Sequence, residues 1–179
     1  MRQLIQLVSG TGESISASLR SMNEKHLEDI QDYWQDILEA TNQPDDGWAW
    51  EYKLRQSQQS ERHEAYAIEE EGLTHGLIYI ETQWRRSHLP HRNPLVYVET
   101  ISVAPWNRKS IEDPPYLQGV GTALLFFARQ RSSELGYGGR VGLHSISGTE
   151  GFYRRAQMSE YGPDSEKEGL IDFECGQLS

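Results

Sequence analysis

The chain has 179 residues, a length that suits one domain with a single sizeable core. Its 17 basic and 27 acidic residues give a formal net charge of −10. Nucleic-acid phosphates repel such a surface, which argues against a general nucleic-acid role and favours cationic partners such as amines or basic peptides. Five Trp, nine Tyr and four Phe offset a polar composition, because each aromatic ring buries a large area. A lone cysteine, Cys175, cannot form an internal disulfide, and no Cys/His spacing suits zinc, so no metal is expected. No long apolar run follows the first eight residues, so neither a signal peptide nor a membrane span is read there. A reducing, cytoplasmic setting with no membrane partner is the expectation.

In chain order, residues 1–13 read as an N-terminal extension ending in the turn-rich Ser9-Gly10-Thr11-Gly12. One domain is expected over residues 14–179. Alternation over Ile15–Arg20 predicts a short strand. Asn23 offers an N-cap, and Leu27, Ile30, Tyr33, Trp34, Ile37 and Leu38 recur at helical spacing. A second, more polar helix is predicted over Trp48–Gln58. Ala65–Ile68 and Gly76–Thr82 flank Glu70-Glu71-Gly72 and predict an antiparallel hairpin. The β-branched run Leu95–Val103 predicts a central strand. Pro105 ends it, and a loop runs from Trp106 to Tyr116. Gly119-Val120-Gly121-Thr122 then opens a helix whose apolar face carries Val120, Ala123, Leu124, Phe127 and Ala128. A strand over Arg140–Ile146, a short helix over Thr149–Ala156 and strands near Met158–Tyr161 and Gly169–Glu174 complete the chain. The fold class is α/β (α+β): a mixed, largely antiparallel sheet of six to seven strands with about four helices.

Ile101–Ala128 carries the chemistry. Gly119 and Gly121 let backbone approach a ligand, and the free amides of the following helical turn favour an anion such as a diphosphate. The nucleoside triphosphate loop needs a lysine that Gly121-Thr122-Ala123 lacks. The dinucleotide fingerprint needs a glycine where Leu124 stands. The stretch resembles the coenzyme A loop of the Gcn5-related N-acetyltransferases, written Arg/Gln-x-x-Gly-x-Gly/Ala. Four features carry the resemblance: the strand end Ile101-Ser102-Val103-Ala104-Pro105, the helix start Gly-Val-Gly-Thr-Ala-Leu-Leu, the strand after it, and the pair Phe152-Tyr153. It spans roughly residues 14–175 and is most specific between 95 and 155. Tyr116 stands at the leading Arg/Gln position, although Gln118-x-x-Gly121-x-Ala123 also satisfies the pattern. The loop Trp106–Tyr116 is longer than usual, and the family's Gly-Phe after the Phe-Tyr helix is absent.

The resemblance implies an enzyme that moves an acetyl group from acetyl-CoA to an amine within a ternary complex. It implies that Ile101, Ser102 and Val103 hold the pantetheine arm, and that the amides of Leu117, Gln118, Gly119, Val120, Gly121 and Thr122 face the diphosphate. Tyr153 matches the tyrosine that protonates the departing thiolate. Glu99 matches a strand glutamate that some relatives use as base, and reads equally well as a structural hydrogen-bonding residue. His144 and Trp84 are candidates for the acceptor site, with core packing as the other reading of each. The acceptor is a small-molecule amine or a protein amino group. The family often forms homodimers. A domain that binds acyl-CoA, or a partner, without transferring the acyl group is the alternative.

Overall fold

The structure is a computed structural model that describes residues 2–88 and 91–177. Its strands are β1 (Arg2–Ser9), β2 (Ser14–Ser21), β3 (His63–Glu70), β4 (Leu73–Glu81), β5 (Val96–Val103), β6 (Leu117–Gln118), β7 (Val141–Ser145), β8 (Ser159–Asp164) and β9 (Leu170–Cys175). The helices are α1 (Glu24–Asp29), a π-helical stretch (Ile30–Trp34), α2 (Gln35–Ala40), α3 (Trp50–Gln59), α4 (Val120–Glu134) and α5 (Glu150–Arg155). The mixed, mostly antiparallel sheet fits the expected class, but among the described residues it has nine strands where six to seven are predicted.

The two extra strands are β1 and β6. Residues 2–9, read from sequence as an extension, pair with β2 from Arg2↔Arg20 to Val8↔Ser14. Their alternation is faint because Leu4 and Val8 face outward, at 71% and 43% exposure. Pairing with β2 makes this segment a strand. β6 is two residues long and exists because Val8 and Ser9 present an edge to Gln118 and Leu117.

The chain divides into two compact units. The first runs to Tyr79 and adds Thr100–Leu124; the second holds Ile80–Glu99 and everything from Leu125 onward. Strand order in the first unit is β6-β1-β2-β3-β4. α1 starts where expected: Asn23 accepts from the Lys25 amide, and His26 returns a ring nitrogen to the Asn23 amide. The predicted single helix keeps its length but is interrupted by the π-helical stretch. There Trp34 turns fully inward and donates its indole N–H to Thr74 O at 3.2 Å. Trp34, Leu38, Trp50, Leu54, Ala67 and Leu77 form this unit's core. At about 25 cal/mol per Å² of apolar surface removed from water, such burial is the main stabilising term.

In the second unit the order is β5-β7-β9-β8. β5 and β7 are parallel, with Val96↔Val141, Tyr97↔Gly142 and Val98↔Leu143 in register. β9 runs antiparallel to β7 and to β8. Period-two alternation separates two faces. Val96, Val98, Val141, Leu143 and Phe173 are buried and apolar, whereas Tyr97, His144 and Asp172 carry the polar chemistry.

Candidate functional site

The end of β5 lies in the first unit. Ile101 and Val103 are half-buried on one side of the strand, and Ser102 is buried on the other. The Ser102 hydroxyl donates to Asp45 Oδ2 at 2.5 Å. Arg108 grips the same carboxylate with two bonds of 2.7 and 2.6 Å. It also donates to the Val103 carbonyl at 2.9 and 2.7 Å. Burial alone would raise the Asp45 carboxyl, but the hydrogen bonds and charge of Arg108 outweigh it and hold the group below its usual range. A bidentate Arg–carboxylate pair thus ties Asp45 and Arg108 to the strand terminus.

The loop then reaches α4. The Leu117 amide donates to Asn107 Oδ1 at 2.9 Å, so this expected diphosphate ligand is engaged within the protein. Gln118 and Gly119 are exposed, and Gly119 takes φ +84°, a left-handed value that favours glycine. The first bond closing the helix runs from the Ala123 amide to Gly119 O at 2.8 Å. By helix geometry the amides of Val120, Gly121 and Thr122 precede that bond and lack intrahelical acceptors. Gly76 lets the helix seat closely on β4: a Cβ there would stand 2.6 Å from Val120 Cγ1 and 3.0 Å from Leu124 Cδ1.

Beside this turn lies a buried polar cluster. Trp106 Nε1 and Asn107 Nδ2 both approach His75 Nδ1, at 3.2 and 3.0 Å. Two donors on Nδ1 make it the acceptor and leave the proton on Nε2, which lies 3.5 Å from Glu70 Oε2. Burial lowers the His75 pKa to about 4, so the ring is neutral. The Tyr116 ring stacks on His75 at 5.5 Å, and its hydroxyl donates to Glu70 at 3.2 Å. Tyr116 therefore has a structural partner in place of the family's leading Arg/Gln.

The second unit brings Tyr97 and His144 together. Tyr97 Oη lies 2.6 Å from His144 Nδ1, and His144 Nε2 lies 2.9 Å from Asp164 Oδ2. Asp172 is 3.9 Å from the same nitrogen and is also bound by His88. Burial pushes the Tyr97 phenol up to about 12, so it stays protonated. The line Tyr97–His144–Asp164 has the polarity of a proton relay: a phenol donor, an imidazole and an ionised carboxylate. Arg85 covers it, with its guanidinium 4.4 Å from the Tyr97 ring centroid. His144, Asp164 and Asp172 each offer a ligand-type atom within 4.8 Å of the others, yet hydrogen bonds and ion pairs already engage all three.

Of the remaining predicted residues, Tyr153 is buried in α5, with its ring 5.6 Å from Phe173 and 5.0 Å from Phe152. Burial raises its phenol to about 12, which keeps a proton available on it. Glu99 is exposed on β5. Trp84 is 72% exposed on the segment after β4. Sequence reasoning missed Arg108, Asn107, Gly76 and His75. Arg108 follows the strand end by five residues, but no spacing marks its reach back to Asp45.

No protein-family model matches the chain, and no curated protein does. Solved structures do. The GNAT domain of S. lividans PAT superposes with a TM-score of 0.64 at 12% identity, over 98% of this chain and 97% of that one. The PaiA N-acetyltransferase from Thermoplasma acidophilum, solved with coenzyme A, gives 0.60 at 12%, over 92% and 100%. Ard1 from Thermoplasma volcanium gives 0.60 at 14%, over 91% and 99%. The chain has the fold of the Gcn5-related N-acetyltransferases. At these identities the likeness establishes the fold.

Proposed function

We propose that the protein is an acetyl-CoA-dependent N-acetyltransferase, with residues 14–179 forming one acyltransferase domain that β1 extends by a strand. The supporting observation is the opening of α4. Gly119 in its left-handed conformation leads into three amides without intrahelical acceptors, on a helix of 15 residues. Such free amides at a helix start support a diphosphate cradle for coenzyme A as the reading of this turn. The fit is good for Gly119, Val120, Gly121 and Thr122, and less so for Leu117, whose amide serves Asn107.

In the proposed reaction the neutral amine nitrogen attacks the thioester carbonyl carbon. The C–S bond breaks, an amide forms, the thiolate takes a proton from Tyr153, and the amine proton leaves to Glu99 or a water. His144 and Trp84 belong to the acceptor side. The acceptor is a small-molecule amine or a protein amino group, and the setting is cytoplasmic. No helix of the described residues is long and apolar enough to cross a membrane.

The test starts with calorimetry of coenzyme A and acetyl-CoA. Micromolar binding that is lost in Gly121→Glu supports the cradle, and absence of binding sinks the reading. Tyr153→Phe is then expected to lower turnover about 100-fold with cofactor affinity unchanged. Equal turnover at saturating substrates removes Tyr153 from the chemistry. A second reading, an acyl-CoA-binding domain without transfer, is favoured by Tyr116 standing locked on His75 and Glu70. Tight cofactor binding without thiol release across an amine screen would select it.

A further inference from the structure

Two neighbouring residues of β4 act on the opening of α4 in different ways. Gly76 sets how closely the helix seats, because a Cβ there would meet Val120 Cγ1 at 2.6 Å. His75 sets where the chain enters the helix, and it does so through Asn107.

The Asn107 carboxamide spans two partners. Its Nδ2 donates to His75 Nδ1 at 3.0 Å and to the His75 carbonyl at 3.4 Å, and its Oδ1 accepts from the Leu117 amide at 2.9 Å. Only one orientation satisfies all three contacts. Turned over, its NH₂ would face the Leu117 N–H and its oxygen would face the His75 carbonyl. His75 is itself held, with Trp106 Nε1 on the same Nδ1 at 3.2 Å and the Ala104 amide on its carbonyl at 2.9 Å. Position therefore passes from β4 to Asn107, and from Asn107 to Leu117, two residues ahead of Gly119.

The same bonds seal the base of the long loop. The Tyr116 amide donates to the Trp106 carbonyl at 2.9 Å, beside the bond from Leu117 to Asn107, so two adjacent rungs cross the loop. β1 braces the other side. The Gly10 amide donates to the Tyr116 carbonyl at 3.0 Å, and Leu117 and Gln118 pair with Ser9 and Val8. A Cβ on Gly10 would stand 2.3 Å from the Pro115 oxygen, so this approach requires glycine. Beyond the rungs, Lys109, Ser110, Glu112 and Asp113 are exposed. A loop pinned at its base can lengthen at its tip at small cost, because closure entropy grows only with the logarithm of length.

We propose that Asn107 is the positioning residue of this turn: oriented by His75, it fixes Leu117 so that the amides of Val120, Gly121 and Thr122 are presented together to a diphosphate. This role rests on the acetyl-CoA reading of the turn. Leu117 is then a fastener and not a ligand, and the extra length of the Trp106–Tyr116 loop leaves the turn in place. A turn fixed beforehand loses less conformational freedom when its ligand arrives, which strengthens binding without a new contact.

The test is calorimetry of coenzyme A with variants of the full chain, together with hydrogen exchange of the Leu117 amide followed by NMR. Asn107→Ala is expected to weaken coenzyme A binding at least about tenfold and to speed Leu117 exchange. His75→Phe keeps a ring against Tyr116 but offers Asn107 no acceptor, and it is expected to weaken binding at least about threefold. It reads the same link from the other end should Asn107→Ala fail to fold. The double variant should bind no more weakly than Asn107→Ala, since His75 acts through Asn107, whereas two merely structural losses would add. Gly-Ser-Gly-Ser inserted between Glu112 and Asp113 should leave affinity within about twofold of the wild type. The proposal is overturned by unchanged affinity in either single variant, by losses that add in the double variant, or by an insertion that weakens binding as much as Asn107→Ala. Those outcomes leave the acetyl-CoA reading standing. Absence of coenzyme A binding by the wild type overturns that reading and this role with it.

Discussion

Two buried polar sites, one in each unit, use the same kinds of residue in opposite ways. At the end of β5, Asp45 is 6% exposed and closed in by Arg108 and Ser102. On the polar face of the second unit, His144 has a side-chain exposure of 6%, but its partners Asp164 and Asp172 reach solvent at 28% and 14%. The first site is a charge-neutral clamp whose proton positions are fixed. The second leads from a buried phenol through an imidazole to carboxylates that water touches. The difference is one of enclosure: a closed network holds geometry, and an open one can exchange protons with water.

The contrast is most directly broken by Arg108→Ala. Removing one partner of a buried ion pair leaves the other charge uncompensated, and the expected cost is about 3–5 kcal/mol by denaturant unfolding. A cost below about 1 kcal/mol would mean that the clamp does not fix the strand end. The next effect concerns His75 beside the clamp. Its folded pKa, about 4, lies below the ordinary 6.5. The unfolded chain therefore binds the proton first as pH falls. Stability is complete above about 6.5 and declines between there and about 4, by roughly 3 kcal/mol from this group. His75→Gln should be less stable at neutral pH but lose less on acidification, and an unchanged slope would assign the acid loss elsewhere. The smallest effect is expected at the open site. His144→Gln should cost about 1 kcal/mol, because water can replace part of what it bonds, with coenzyme A affinity unchanged. A loss matching that of Arg108→Ala would erase the distinction between the two sites.

Much of this was legible in the chain itself. Alternation located β2, β-branched content located β5, and strand and turn signals located β3, β4, β7, β8 and β9, each to within a few residues, while the apolar spacing of Leu27 to Leu38 located the first helix. The order of elements and the glycines ahead of α4 led to the acetyltransferase fold. β1 was not legible, because a strand with outward-facing Leu4 and Val8 has no periodicity of its own. The π-helical stretch was not legible either, since Ile30–Trp34 reads as ordinary helix. The Leu117 amide looked free for a ligand because nothing in the sequence shows Asn107 folding back onto it.

What the sequence determined by itself is what short-range pattern can encode: which residues alternate, which recur at helical spacing, where glycine permits a left-handed turn. The tertiary structure alone decided which charges meet. Asp45 and Arg108 are 63 positions apart, and Tyr97 and His144 are 47 apart. Their pairing depends on strands and loops being brought side by side by core burial, a long-range term that no local window contains.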